Sequence, residues 1–163
     1  MQARINNPAL SVPGALDGLR DFGMSARTGE VSDETLALIQ LRVSQINGCS
    51  VCADIHSREL EHMGTGSERL HTLAAWRETP YFTEPERAAL ALAEATTRIA
   101  DNPDAVPDTV WDEAARHYSD SQLASLVVSI AAINAFNRLN AATRQMTGPW
   151  VEQIVDQAIA ARA

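Results

Sequence analysis

Cysteine is scarce in this chain, with two among 163 residues, Cys49 and Cys52. A framework of structural disulfides is therefore excluded, and none is needed, because one domain of this length buries roughly two-thirds of the surface its unfolded form exposes. Positive charge is also short. Thirteen Lys and Arg against 21 Asp and Glu give a net charge of −8, which argues against nucleic acid or an anionic membrane surface as the main partner. The N-terminal stretch Met1-Gln2-Ala3-Arg4-Ile5-Asn6-Asn7-Pro8 has no apolar core of the signal-peptide kind, and no run is expected to approach the roughly 18 apolar residues of a membrane span. The expectation is a cytoplasmic protein with no membrane partner. In a reducing compartment, a lone close-spaced cysteine pair points to catalysis, redox sensing or metal binding rather than to a structural bridge.

Sustained apolar–polar alternation is missing too, which removes half-buried strands; apolar residues recur at intervals of three and four, as on helices. The sequence predicts an all-α single domain over residues 1–163, with no linker, repeat or low-complexity tract. After a short N-terminal segment around Leu10 to Phe22, Ser32 is placed to cap a helix carrying Leu36, Ile39, Val43 and Ile46. Asn47-Gly48 ends it, and the next helix begins at Cys49 or Ser50 and runs to about Met63. Ser67 is expected to cap a shorter helix with Leu70, Leu73, Ala74 and Trp76. Thr83 with Glu86, and Ser119 with Gln122, have capping-box spacing, while Pro107 can open a short helix to about His117. Asp101 to Asp104 reads as a loop. The helix from Leu123 to about Ala142 is apolar nearly all round in its first half, as expected of a central helix. Beyond Gly148-Pro149, an amphipathic terminal helix with Val151, Ile154, Val155 and Ile159 can dock on its own domain or on a second subunit.

The chemistry concentrates in Cys49-Ser50-Val51-Cys52-Ala53-Asp54-Ile55-His56. At 100° per residue, positions 49, 52 and 56 fall within about 60° of one another on a helix, so two thiols and an imidazole share one stripe. A cysteine near pKa 8.5 is only roughly 3% thiolate at pH 7, and the thiolate is the nucleophile. Two activators are at hand: the free N–H groups of the helix N-terminus favour negative charge at Cys49, and His56, four residues beyond Cys52, can take its proton. These arguments favour different cysteines and leave open which one attacks. The other can resolve a sulfenic acid or mixed disulfide. Zinc is the rival reading, with three candidate ligands in Cys49, Cys52 and His56, but such sites usually draw a further pair from elsewhere. No metal or bound cofactor is expected. His62, His71 and His117 have no chemical partner in sequence. Glu59, Glu61, Glu68 and Arg69 read as a solvated face, and Asn134, Asn137 and Arg138 as packing residues.

The string Leu41-Arg42-Val43-Ser44-Gln45-Ile46-Asn47-Gly48-Cys49, continued through His56-Ser57-Arg58-Glu59, resembles the core of the carboxymuconolactone decarboxylase and AhpD-like alkylhydroperoxidase superfamily. Trp76-Arg77-Glu78, Glu86 to Ala95 and Ile133 to Leu139 resemble its other recurrent blocks, so the likeness spans about Ser32 to Arg144. It implies an AhpD-like helical bundle that forms homo-oligomers, trimers or trimers of dimers. It also implies a peroxidase in which Cys52 reduces the peroxide, Cys49 resolves it and His56 is the deprotonating partner, with electrons from an external thiol reductant. In that pattern a glutamate twelve residues before the first cysteine completes a proton relay; here that position is Ala37. Glu34, about one turn earlier, is the nearest acid on that helix, and Val51 stands where the family's peroxidase has a histidine. The expectation is a thiol-dependent hydroperoxide or disulfide reductase with an incomplete relay, in which Ala37→Glu should quicken turnover. The alternative is a redox-responsive binding or regulatory protein without turnover. Decarboxylation fits the dithiol less well.

Overall fold

A computed structural model of the chain describes residues 2–28, 30–100 and 102–160, all helix and connection with no strand among them. Asp101, the first residue of the expected loop, lies outside the described residues. The helices are α1 (Pro8–Ser11), α2 (Ala15–Met24), α3 (Asp33–Asn47), α4 (Ser50–His62), α5 (Ser67–Thr72), α6 (Glu84–Thr97), α7 (Asp108–His117), α8 (Asp120–Thr143) and α9 (Trp150–Ala160). A 3-10 segment over Leu73–Glu78 follows α5 and is itself kinked at Ala75.

Local capping chemistry sets most of these boundaries. The Ser32 hydroxyl accepts the Thr35 N–H at 3.1 Å and opens α3. Both capping boxes form, Thr83 with Glu86 at α6 and Ser119 with Gln122 at α8, each satisfying two otherwise orphaned N–H groups. Pro107 is the N-cap of α7. The exception is α5, whose N-cap is Gly66 and not Ser67; no side chain caps it. The two candidate caps are adjacent in sequence, and Gly66 holds the extended N-cap backbone at φ −60°, ψ 142°.

Helix α3 is the hub, packed against α4, α6 and α8, and Thr35 to Leu41 are buried without a break, with Val43 and Ser44 following. An amphipathic stripe would leave one face wet; continuous burial means neighbours on every side. Helix α8 plays the matching role across the core, with α2, α3, α6 and α7 around it. It corrects one expectation from sequence: at 24 residues with a window of mean hydropathy 1.2, it is long and apolar enough, by length and composition, to cross a membrane. Here that composition serves the interior, where Leu126 and Ile130 are fully enclosed and each contributes about 1.5–3 kcal/mol of burial. Helix α9 docks on its own domain, laying Val151 and Val155, 0% and 2% exposed, against α4.

Candidate functional site

Helices α3 and α4 meet without a linker. Gly48 sits in the left-handed region at φ 67° and its N–H reaches Gln45 O at 3.4 Å, while the Cys49 N–H reaches Ser44 O at 3.0 Å. This pair of bonds is a Schellman closure, which glycine permits because it has no Cβ to clash. The residue that completes it, Cys49, is also the N-cap of α4, its Sγ accepting the Cys52 N–H at 3.3 Å. One cysteine therefore closes one helix and opens the next.

Cys49 and Cys52 are joined as a disulfide with a Cα–Cα separation of 5.4 Å, and they are 3% and 4% exposed. The Asn140 amide, from the last turn of α8, donates towards both sulfurs, at 3.3 Å to Cys52 Sγ and 3.6 Å to Cys49 Sγ. His56 lies one turn beyond Cys52 on α4, its side chain 13% exposed, with Nδ1 2.7 Å from Glu59 Oε2. With Nδ1 engaged by the Glu59 carboxyl, Nε2 is the ring nitrogen left for a second partner. Of the three residues singled out from sequence, the two cysteines are bonded to each other and His56 follows one turn on along the same helix.

The residue beside His56 corrects the sequence reading. Glu59 is not on a solvated face: it is 4% exposed and bonded to His56. Glu61 and Glu68 are exposed as expected, and Arg69 is half-buried between Glu34 at 2.7 Å and Glu86 at 2.5 Å. Spacing carried a signal for Glu59, because three residues beyond His56 and seven beyond Cys52 is the same helical stripe. Glu34 is not at the dithiol; Thr65 and Arg69 hold it, at 2.8 and 2.7 Å. Ala37 is fully buried in the core. The acid beside the histidine comes from the histidine's own helix.

Two polar networks fix the end of α3 from which the site departs. Glu94 on α6, 5% exposed, accepts from Arg42 Nε at 2.6 Å, Trp76 Nε1 at 3.1 Å, Arg77 at 2.5 Å and Arg98 at 3.4 Å. Burial alone would push its carboxyl up; the hydrogen bonds from Arg77, Arg42 and Trp76 and the Arg42 charge outweigh it and hold the pKa at about 2. Lower down, the Asn47 amide donates to Asn134 and Asn137 Oδ1, both at 2.9 Å, and Asn137 donates to Ser44 Oγ at 3.2 Å. Asn134 and Asn137 are packing residues, as expected, and what they hold is the turn before Gly48. His117 pairs with Glu113 at 3.1 Å on α7.

Comparison with known proteins agrees with this architecture. Residues 13–95 match the model of the carboxymuconolactone decarboxylase family. The uncharacterized protein YdfG of Bacillus subtilis is 34% identical over 130 residues, covering 80% of this chain and 87% of its own length. The crystal structure of an Agrobacterium tumefaciens protein of unknown function, described with an AhpD antioxidant-defence role in view, superposes with a TM-score of 0.83 at 33% identity, covering 90% of this chain and 99% of that one. The apo debrominase Bmp8 shares the fold, with a TM-score of 0.70 at 24% identity over 87% of this chain and 75% of its own. With its all-α bundle and its Cys-x-x-Cys at the α3–α4 junction, the chain belongs to the carboxymuconolactone decarboxylase family, within the AhpD-like superfamily.

Proposed function

We propose that the protein is a thiol-dependent hydroperoxide reductase cycling between a Cys49/Cys52 dithiol and the disulfide. The observation that carries this reading is the bonded cysteine pair at the start of α4 with His56 one turn on, its Nδ1 held by buried Glu59 at 2.7 Å. Family membership supports it at the coarser level of an AhpD-like enzyme.

In the reduced state His56 Nε2 takes the Cys52 thiol proton, and the Glu59 carboxylate stabilises the imidazolium. The thiolate attacks the distal oxygen of ROOH; the O–O bond breaks, the alkoxide takes the proton back from His56 and leaves as ROH, and Cys52 becomes a sulfenic acid. The Cys49 sulfur then attacks Cys52 Sγ, the S–S bond forms, and the sulfenic oxygen leaves as water with the Cys49 proton. Two electrons pass from two thiols to one peroxide. An external dithiol returns them by exchange through a mixed disulfide. Assigning attack to Cys52 follows the family pattern and the position of His56; Cys49, engaged as the α4 N-cap, is the resolving residue. The Glu59 carboxyl beside His56 Nδ1 supports turnover over the redox-responsive alternative, since it puts an acid next to the histidine although position 37 is alanine.

The test is steady-state consumption of cumene hydroperoxide by the reduced protein with a dithiol reductant. Sustained turnover is expected, lost in Cys52→Ser and reduced to accumulating sulfenic acid in Cys49→Ser. Consumption of one equivalent followed by arrest, with the reductant shown to reopen the disulfide, would leave the non-catalytic reading standing.

A further inference from the structure

We infer that Asn140 is an additional catalytic residue of the dithiol centre, a thiolate-holding amide aimed at the sulfurs by Asn7 in the N-terminal segment. The inference rests on the dithiol being the working centre, and it goes beyond that reading by adding two residues from opposite ends of the chain.

The direction of the amide follows from a chain of donors and acceptors. Asn7 caps α1 with its Oδ1, which accepts the Ala9 N–H at 3.0 Å. A backbone N–H can only donate, so the other arm of Asn7 must be its NH2. That NH2 donates to Asn140 Oδ1 at 3.2 Å. The oxygen of Asn140 being occupied in this way, its own NH2 is turned to Cys52 Sγ and Cys49 Sγ, at 3.3 and 3.6 Å. One cap bond on a four-residue helix thus sets the polarity of an amide buried beside the reactive sulfurs.

The backbone supports of both asparagines are built in. Asn140 O accepts the Gln145 N–H at 2.9 Å, closing α8 through Arg144, which at φ 55° is the one non-glycine among the described residues in the left-handed region. The N-terminal segment is tied across the same helix end: Arg4 N–H to Thr143 O at 2.9 Å, the Arg4 guanidinium to Ala142 O at 3.1 Å, and the Gln145 amide to Ile5 O at 3.0 Å. Asn7 is therefore seated over Asn140 by the tethers at Arg4 and Ile5 that precede it and by its own cap of α1 that follows.

A disulfide sulfur is a weak acceptor and a thiolate a strong one, so the same amide contributes more once the bond is reduced and the proton has left for His56. In a pocket where both cysteines are nearly sealed from water, such a donor replaces the hydration the anion lacks. The expected consequence is a lowered thiol pKa and a disulfide that is easier to reduce.

Thiolate absorbance near 240 nm and iodoacetamide alkylation of the fully reduced protein read this without peroxide, so the inference can fail while turnover persists, and turnover can fail while it holds. Asn140→Leu is expected to raise the titration midpoint by about one pH unit and to slow alkylation at pH 7 about tenfold. Equilibration with a dithiol of known potential should shift by a similar factor towards the disulfide. Asn7→Asp is the sharper variant and leaves the core untouched. Its carboxylate keeps the Ala9 cap but presents oxygen to Asn140, so the Asn140 amide must turn and offer its own oxygen to the sulfurs; a shift as large as that of Asn140→Leu is expected. Asn7→Ser, which keeps the cap without forcing the turn, should give a smaller shift in the same direction. Added to Asn140→Leu, Asn7→Asp should do little. A wild-type midpoint in folded Asn7→Asp overturns the inference, and so does an undiminished Asn7→Asp effect in the Asn140→Leu background, because that would be charge acting through space.

Discussion

Two glutamates, Glu59 and Glu94, are buried to nearly the same degree, 4% and 5% exposed, and differ in what meets them. Glu94 is met by three arginines and an indole N–H. Arginine keeps its proton at any pH the fold survives, so the cluster is a fixed anchor across α3, α6 and the 3-10 turn. Glu59 meets the His56 imidazole, Oε2 to Nδ1, at 2.7 Å. What separates the two is therefore the partner and not the carboxylate: permanently charged partners lock Glu94 in place, whereas an imidazole partner gives Glu59, on the proposed mechanism, an imidazolium to stabilise.

Substitutions can break this comparison, beginning with the largest effect. Ala37→Glu places a carboxylate where the methyl group is fully buried, and a loss of roughly 4 kcal/mol or outright misfolding is expected, read by thermal melting. Faster turnover in a stable Ala37→Glu protein would return the relay to α3 and remove Glu59 from it. Glu94→Gln leaves Arg42 and Arg77 without their counter-charge and should cost about 2 to 3 kcal/mol, while turnover per folded molecule stays near wild type. Glu59→Gln should invert that pattern: turnover falls about 10- to 100-fold and the melting temperature moves less than in Glu94→Gln.

Acid sharpens the same contrast. Since Glu94 is held at about 2 in the fold against an ordinary 4.5, the unfolded chain takes up its proton first as pH falls. The stability from this group is complete above about pH 4.5 and is lost between there and pH 2. Urea midpoints across that window should fall steeply in the wild type and more gently in Glu94→Gln. The smallest effect belongs to Glu34→Gln, which removes the partly exposed charge beside Arg69 and leaves the Arg69–Glu86 pair in place: under about 1 kcal/mol, with turnover unchanged, whereas a fall in turnover would put Glu34 in the relay.

Much of this was legible in sequence because it is local. Ser32, the Thr83–Glu86 and Ser119–Gln122 boxes, and the helix break at Asn47-Gly48 all act within four residues, and the starts of α3, α6 and α8 and the junction of α3 with α4 follow from them. The common face of Cys49, Cys52 and His56 is likewise one helix's geometry. Glu59 was misplaced for a different reason: its neighbours Arg58, Glu61 and His62 are wetter, and only tertiary packing tells which acid on a charged stretch turns inward. Asn140 lies 91 residues from Cys49, and no pattern along the chain links the two. The recurrent blocks at Arg42, Trp76-Arg77 and Glu94 were visible as strings, but their meeting at one carboxylate is a property of the fold.

The junction at Gly48 and Cys49 also bears on how this chain can change in length. Loops elsewhere in the molecule can gain or lose a residue at small cost, but here there is no loop to absorb one. An added residue between Gly48 and Cys49 would separate the end of α3 from the start of α4; an added residue between Cys52 and His56 would turn the imidazole by about 100° around the helix. The centre therefore tolerates exchange of side chains far better than insertion, and natural length variation should stop short of the stretch from Ser44 to Glu59.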